Sequence, residues 1–457
     1  GRMRILIVGA GIVGFNLAQE LSQEGHDVAI VDKDLDRTRR ISDTLDVMAL
    51  QGNACLPSVL VKAGIKSTEM LIAVTEKDEI NLLACFLASR FEVPKRFARL
   101  RDMEFTTNGA ILSPQDLFID QAINPPQIMV ETILKFLETP GVVNVAEFAD
   151  GEVLLREFDV PENAPIAGKS IQDIRSITLM DSFLIVAIVR EGELVLPKDE
   201  DIIHAGDRFY TLVDKEFLPF LLPMLNKTLD EVQKVIIYGA TPMAIHLAKA
   251  LEEGTRDVRI IEPSRDMAHV AADQLKKTVV MHGSGTDMDL FNEINMKEAD
   301  FFLALSDDDE NNILSALLAK KYGAKRALVI TNDPEYLPIL DSIGMDITIN
   351  PRLITVSAIL KHLRKGRVMS VFKLIEDAEV MEIGVEPDSS IVDKQISKIK
   401  FPKEAIIGAI LRKGEMLIPN DEIVLEAGDS VIVVALPGGI EKIEKLFDRK
   451  RSFLPFR

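Results

Sequence analysis

The chain repeats itself. Gly9 is followed 230 residues later by Gly239, and Asp32 by Glu262 at the same interval. Gly52 pairs with Gly283, Thr75 with Ser306, Glu79 with Glu310 and Asn81 with Asn312, each 231 residues on. Asn124-Pro125 recurs as Asn350-Pro351, and Gly192 with Pro197 as Gly414 with Pro419. His204-Ala-Gly-Asp207 recurs as Glu426-Ala-Gly-Asp429. The landmarks keep their order while the offset drifts slowly, so the 457 residues must fold as two versions of one plan.

Within each copy, short apolar strands alternate with amphipathic helices. In the first, Arg4–Val8, Asp27–Val31, Met70–Val74 and Arg96–Arg99 read as strands, with Ile12–Ser22, Arg37–Leu45 and Ile80–Phe91 as helices between them. Strands rich in Val and Ile, separated by helices, imply a parallel sheet covered on both faces. A proline-started helix, Pro125–Leu137 and its counterpart Pro351–Leu363, then leaves the sheet. It is free to pack on its own domain or to cross to a neighbour. The rest of each copy reads as a strand, a short helix, a hairpin and a closing strand: Leu154–Val160, Ser170–Ile174, Leu184–Val189 with Leu194–Leu196, and Asp207–Val213. Glu138–Asn144 and Lys365–Val371 are the expected hinges. The fold class is therefore α/β, with tandem Rossmann-type parallel-sheet domains each followed by a small α+β domain. The expected segments are 3–123 (Rossmann), 124–141 (crossover helix and hinge), 142–228 (small domain), 232–349 (Rossmann-like), 350–367 (second crossover and hinge) and 368–452 (second small domain).

In the first copy Gly9-Ala-Gly11-Ile12-Val13-Gly14 follows a strand and opens a helix, and Asp32 ends the next strand 18 residues past Gly14. That context makes the pattern a dinucleotide fingerprint. Gly9 permits the tight turn, Gly11 lets backbone approach a pyrophosphate, Gly14 lets helix pack on sheet, and the free N–H groups of the helix start attract phosphate. Asp32, next to Lys33, would accept hydrogen bonds from ribose hydroxyls and repel a 2′-phosphate. Thr75, Glu79 and Asn81 lie at the carboxyl edge of the sheet, where ligands bind or where they simply cap and turn. Arg99 and Arg101 end a strand on the same edge and could meet a phosphate. The second copy reads Gly239-Ala-Thr241-Pro242-Met-Ala244. A side chain now stands where backbone should meet pyrophosphate, and Val329 aligns with Arg99. Glu262 alone keeps the ribose position. This second site is expected to bind weakly, to take a different nucleotide, or to stay empty, although Gly283-Ser-Gly285-Thr286 could still admit an adenine.

Catalysis finds no footing. None of the six histidines falls in a motif beside the first fingerprint, where a dehydrogenase needs a proton donor. The acidic runs Asp307–Glu310 and Asp199–Asp201 read as solvated loops, and no metal site is expected. Two cysteines, Cys55 and Cys85, argue against a disulfide scaffold. The formal net charge of −19 repels nucleic acid and anionic membrane surfaces alike, so membrane association would have to run through a protein partner. No apolar run reaches the roughly 18 residues of a membrane helix, no signal peptide is expected, and Gly1-Arg2 reads as a cloning remnant ahead of Met3.

Taken together, the chain resembles the TrkA family of potassium-uptake regulatory proteins, with two RCK (KTN) domains each followed by an RCK C-terminal domain. The resemblance rests on the glycine fingerprint, Asp32, Gly52-Asn53-Ala54, Ala73-Val-Thr75, Asp78-Glu79-x-Asn81, Ala98-Arg99-x-Arg101 and the twice-repeated hairpin ending in Ala-Gly-Asp. Cys55 stands where the family has a small hydroxyl residue, and the second fingerprint departs from it. The resemblance implies a non-enzymatic, cytoplasmic subunit peripheral to the inner face of the cell membrane. It would form a homo-oligomer, a dimer or tetrameric ring, beneath a potassium-translocating membrane subunit. It would regulate that partner by binding NAD(H) or ATP/ADP, with Asn53 and Ala54 added to the site. The alternatives are an NAD-dependent oxidoreductase and a regulatory domain of another cation transporter.

Overall fold

The computed structural model describes residues 2–105, 111–138, 145–178, 183–227, 231–363, 368–374 and 378–447. The first copy opens with strands β1 (Arg4–Val8), β2 (Asp27–Asp32), β3 (Met48–Gln51), β4 (Met70–Ala73), β5 (Lys95–Arg99) and β6 (Gln121–Ile123). They pair in the order β3-β2-β1-β4-β5-β6, all parallel. This is the doubly wound order whose strand direction reverses beside β1, the place where such sheets bind ligands. The helices α1 (Ile12–Gln23), α2 (Leu35–Thr44), α3 (Pro57–Lys62) and α4 (Asp78–Arg90) connect them. Strand β4 is buried at every position, as a sheet covered on both faces requires. After the crossover helix α5 (Pro125–Glu138) come β7 (Val145–Phe148), β8 (Val153–Asp159), α6 (Ile171–Thr178), β9 (Phe183–Arg190), β10 (Glu193–Val195), β11 (Arg208–Asp214) and α7 (Leu218–Leu221). The five strands form an antiparallel sheet, β10-β9-β11-β8-β7. Its β9–β10 hairpin turns on Glu191 and Gly192, both at positive φ (52° and 82°), the type I′ geometry that suits the strand twist.

The second copy repeats the plan. Strands β12 (Lys234–Tyr238), β13 (Asp257–Glu262), β14 (Val279–His282), β15 (Phe301–Ala304), β16 (Arg326–Ile330) and β17 (Ile347–Ile349) pair in parallel as β14-β13-β12-β15-β16-β17. Helices α8 (Pro242–Glu252), α9 (Arg265–Gln274), α10 (Met288–Glu293), α11 (Asp309–Lys321) and α12 (Tyr336–Ser342) join them, and α13 (Pro351–Leu363) crosses out. The last sheet, β18-β19-β22-β20-β21, uses β18 (Val368–Lys373), β19 (Glu379–Gly384), β20 (Ala405–Arg412), β21 (Glu415–Leu417) and β22 (Ser430–Ala435), and α14 (Pro437–Phe447) packs on it.

The tandem Rossmann architecture expected from the repeat is thus present. Three expectations change. The strands β3, β6 and β7 and the helix α3 were not legible. The segment Lys365–Val371 is not all hinge, because β18 begins at Val368. The other expected hinge residues, including Gly141, lie outside the described residues.

The chain forms two compact units. One joins the residues up to Leu137 with Val232–Leu360; the other joins Glu138–Glu231 with the residues from Lys361 onward. In the first unit α5 crosses to the other copy. Its Met129, Val130, Ile133 and Leu137 are buried in one cluster with Val235, Ile237, Leu247 and Leu303 of the second sheet. In the second unit the two antiparallel sheets share a core in which Val186 and Leu212 meet Ala409 and Ile432. A side chain at Gly408 would stand 2.6 Å from Leu212. The repeated Ala-Gly-Asp is structural. Asp207 and Asp429 each take a two-pronged contact from the arginine that ends the neighbouring strand, Arg190 and Arg412. Among the described residues no helix is long and apolar enough to cross a membrane, and no cluster of metal-ligating side chains occurs.

Candidate functional site

At the carboxyl edge of the first sheet a cavity of about 270 Å³ is lined by the ends of β1, β2, β4 and β5 and the loops that follow them. The chain leaves β1 at Gly9, whose φ of +109° excludes a side chain and whose N–H donates to Val31 O at 2.8 Å. Gly11 is the N-cap of α1, and no side chain bonds the helix's first N–H groups. These donors face the cavity through Gly11, Ile12 and Val13. Free N–H groups at the positive end of a helix dipole are an anion site. Gly14 lies off the cavity and has the packing role expected of it, since a Cβ there would come within 1.7 Å of Gly9 O.

Asp32 is buried at the end of β2. Its two oxygens accept the N–H groups of Ala10 (2.7 Å) and Asp34 (2.8 Å), which fixes the carboxylate across the mouth of the glycine turn. Each oxygen keeps a second lone pair that could take a ribose hydroxyl. Lys33, Asn53 and Ala54 line the same wall. The Asn53 Oδ1 also accepts Cys55 N at 2.9 Å, holding the loop after β3. Thr75 lines the opposite wall.

Asn81 does not reach the cavity. Its amide is fully buried. It accepts the N–H and hydroxyl of Thr75 (2.9 and 2.7 Å) and donates to the carbonyls of Thr75 and Arg99 (3.0 and 2.8 Å). It is a bracket tying β4 to β5, and Asn312 repeats it with Ser306 and Ile330. That repeat also corrects the register. The position equivalent to Arg99 is Ile330, not Val329, and it is apolar either way. Glu79 lies outside the first cavity and lines a neighbouring one.

Arg99 ends β5 with 7% exposure, and its Nε has no hydrogen-bond partner. Burial, with repulsion from Arg101, pulls its pKa down to about 10. Reading the sequence did not find Arg37, Lys77, Glu76 or Arg352, all of which line the cavity. Arg37 sits in the first turn of α2, 3.9 Å from Asp32. Arg352 comes from the other copy. It could be placed at a helix start from its position after Asn350-Pro351, but nothing local says which cavity it enters. Five basic residues (Lys33, Arg37, Lys77, Arg99, Arg352) face three acidic ones (Asp32, Asp34, Glu76), a cationic lining on a strongly acidic chain. No histidine, tyrosine or cysteine is among the lining residues.

The corresponding turn of the second copy is closed by its own side chains. Gly239 repeats Gly9, at φ +100°. Thr241, however, caps α8, accepting Ala244 N at 3.2 Å, and Pro242 supplies no N–H. Glu262 sits as Asp32 does but with longer contacts, 3.3 Å to Ala240 N and 3.4 Å to Ser264 N. In the small-residue loop, a Cβ at Gly285 would fall 2.6 Å from the Tyr238 ring, which is buried where Val8 stands in the first copy.

Known families match both parts of both copies. The TrkA-N domain model matches residues 5–125 and 235–351, and the TrkA-C domain model matches 155–216 and 380–448. The Trk system potassium uptake protein TrkA of Halomonas elongata is 33% identical over 99% of this chain and 100% of its own length. A homologue from Archaeoglobus fulgidus is 33% identical over 97% of this chain and 100% of its own. In fold, the chain is similar to the GsuK RCK domain, with a TM-score of 0.59 and 17% identity over 98% of this chain and 95% of that one. It is also similar to a GsuK channel bound to NAD, with a TM-score of 0.59 and 18% identity over 98% of this chain and 79% of that one.

Proposed function

The chain belongs to the TrkA family of Trk system potassium uptake proteins, and on that premise we propose that it is the nucleotide-sensing regulatory subunit of such a system. It acts on a potassium-translocating membrane subunit, at the cytoplasmic face and as a homo-oligomer, and it responds to NAD(H) or ATP/ADP bound in its first copy. One observation carries the reading. The start of α1 offers uncapped N–H groups to a cationic cavity that also holds the ribose-side acid Asp32. The capped start of α8 supports a second copy that binds weakly or not at all. The NAD held by the GsuK channel, whose fold this chain shares, supports NAD(H) among the candidates. A cavity without histidine, tyrosine or cysteine supports binding and not turnover. The division into segments 3–123, 124–141, 142–228, 232–349, 350–367 and 368–452 is part of the same proposal.

The switch works by differential affinity. A ligand moves an equilibrium between two conformations only as far as it binds one of them better. The test is titration of the full chain with ATP, ADP, NAD and NADH, followed by calorimetry and small-angle scattering. At least one pair from this set is expected to differ in affinity or in the shape it produces. If all four bind equally and leave the same scattering profile, none of them is the switch.

A further inference from the structure

The nucleotide cavity opens onto a second one, of about 530 Å³, between the two Rossmann copies of the same unit. The two cavities share Glu76, Lys77, Arg99 and Arg352. Two guanidinium groups from different copies therefore converge where the cavities join, and neither is well matched. Arg99 is buried with an unpartnered Nε. Arg352 stands in the first turn of α13, where the helix dipole disfavours a cation. Its only ion pair among the described residues is with Glu76, at 3.4 Å between side chains 32% and 58% exposed. Its other contact, to Asn332 O, is 3.5 Å long. A half-exposed pair at that distance contributes little. The arrangement lacks an anion.

The sheet order indicates which anion. With the ribose on Asp32 at the end of β2 and the first phosphates over the glycine turn after β1, the rest of the ligand runs past β4 toward β5. At the end of β5 stands Arg99. A nucleoside triphosphate brings a further phosphate there, a diphosphate ends short of it, and NAD(H) brings an uncharged ribose.

We propose that Arg352, supplied by the copy with the degraded fingerprint, reads the terminal phosphate of a nucleoside triphosphate held by the first copy, leaving Glu76 for it and so tying the two copies together. The proposal rests on the nucleotide reading above. It gives the second copy a function that needs no nucleotide of its own. It is also one-sided, because Pro126 occupies the place of Arg352 after Asn124-Pro125, so no reciprocal arginine serves the second copy.

The test is calorimetric binding of ATP, ADP and NADH to the full wild-type chain, R352Q and R352K. A single charge-assisted hydrogen bond to the terminal phosphate makes wild type prefer ATP to ADP by about tenfold or more, and R352Q removes this preference by weakening ATP alone. R352K, which keeps the charge without the planar fork, retains part of it. ADP and NADH binding stay near the wild-type level in both variants, which also shows that they are folded. An R352Q chain that loses ATP and ADP affinity equally, or loses neither, overturns the proposal. A wild-type chain that binds none of the three sinks the nucleotide reading itself, and this proposal with it.

Discussion

A methyl group added at Gly11 and one added at Gly14 meet different surroundings. At Gly11 the nearest atom is an Arg37 nitrogen 3.8 Å away, and the backbone φ of −71° suits any residue. At Gly14 the methyl would collide with the carbonyl of Gly9. Gly11→Ala should therefore melt within a degree or two of wild type yet lose nucleotide affinity by at least about tenfold, because the methyl stands over the helix start. Gly14→Ala should lose about 2 kcal/mol or more of stability by overpacking. Thermal melts paired with calorimetry separate the two, and a Gly11→Ala chain that binds normally would remove phosphate from the turn. Arg99 makes a converse case. Arg99→Met removes an unmatched buried charge, so stability should hold or rise while affinity for phosphorylated ligands falls; a clear loss of stability would show the guanidinium to be structural. The glycines and Asp32 were legible because their spacing is local. Asn81 was not assignable between ligand and bracket, since its partners come from three elements. Arg352 was out of reach because its cavity is built by residues more than two hundred positions away.

At the scale of elements, the two copies differ in how a helix begins. Helix α1 leaves its first donors to the cavity, whereas α8 satisfies one with Thr241 and lacks another at Pro242. An N-cap threonine contributes about 1 kcal/mol, so divergence at this turn exchanged a ligand's contacts for the protein's own. Alternating strands and helices announced the parallel sheets, because strands buried on both faces carry continuous apolar runs. The strands β3 and β6 escaped notice because they are short, lie at the sheet edges and are only partly buried. The destination of α5 is also absent from local sequence, since an apolar stripe fits any groove of the right shape. Its crossing has a measurable consequence. Ile133 is fully buried in the core of the second sheet, so Ile133→Ala should cost about 2–4 kcal/mol and lower hydrogen-exchange protection in β12 and β13. Protection that falls only in β1–β6 would contradict the crossing.

At the scale of the molecule, one cationic cavity sits on a chain of net charge −19, and the copy that no longer offers an open helix start lends an arginine to the one that does. Duplication has thus become division of labour: the first copy holds the ligand, and the second responds to how it ends. The most direct test is native mass spectrometry of the full chain titrated with ATP. The account predicts one nucleotide per chain at saturation, abolished in Gly11→Val and retained in Glu262→Gln. Two nucleotides per chain, or a single one that survives Gly11→Val and is lost in Glu262→Gln, would contradict it.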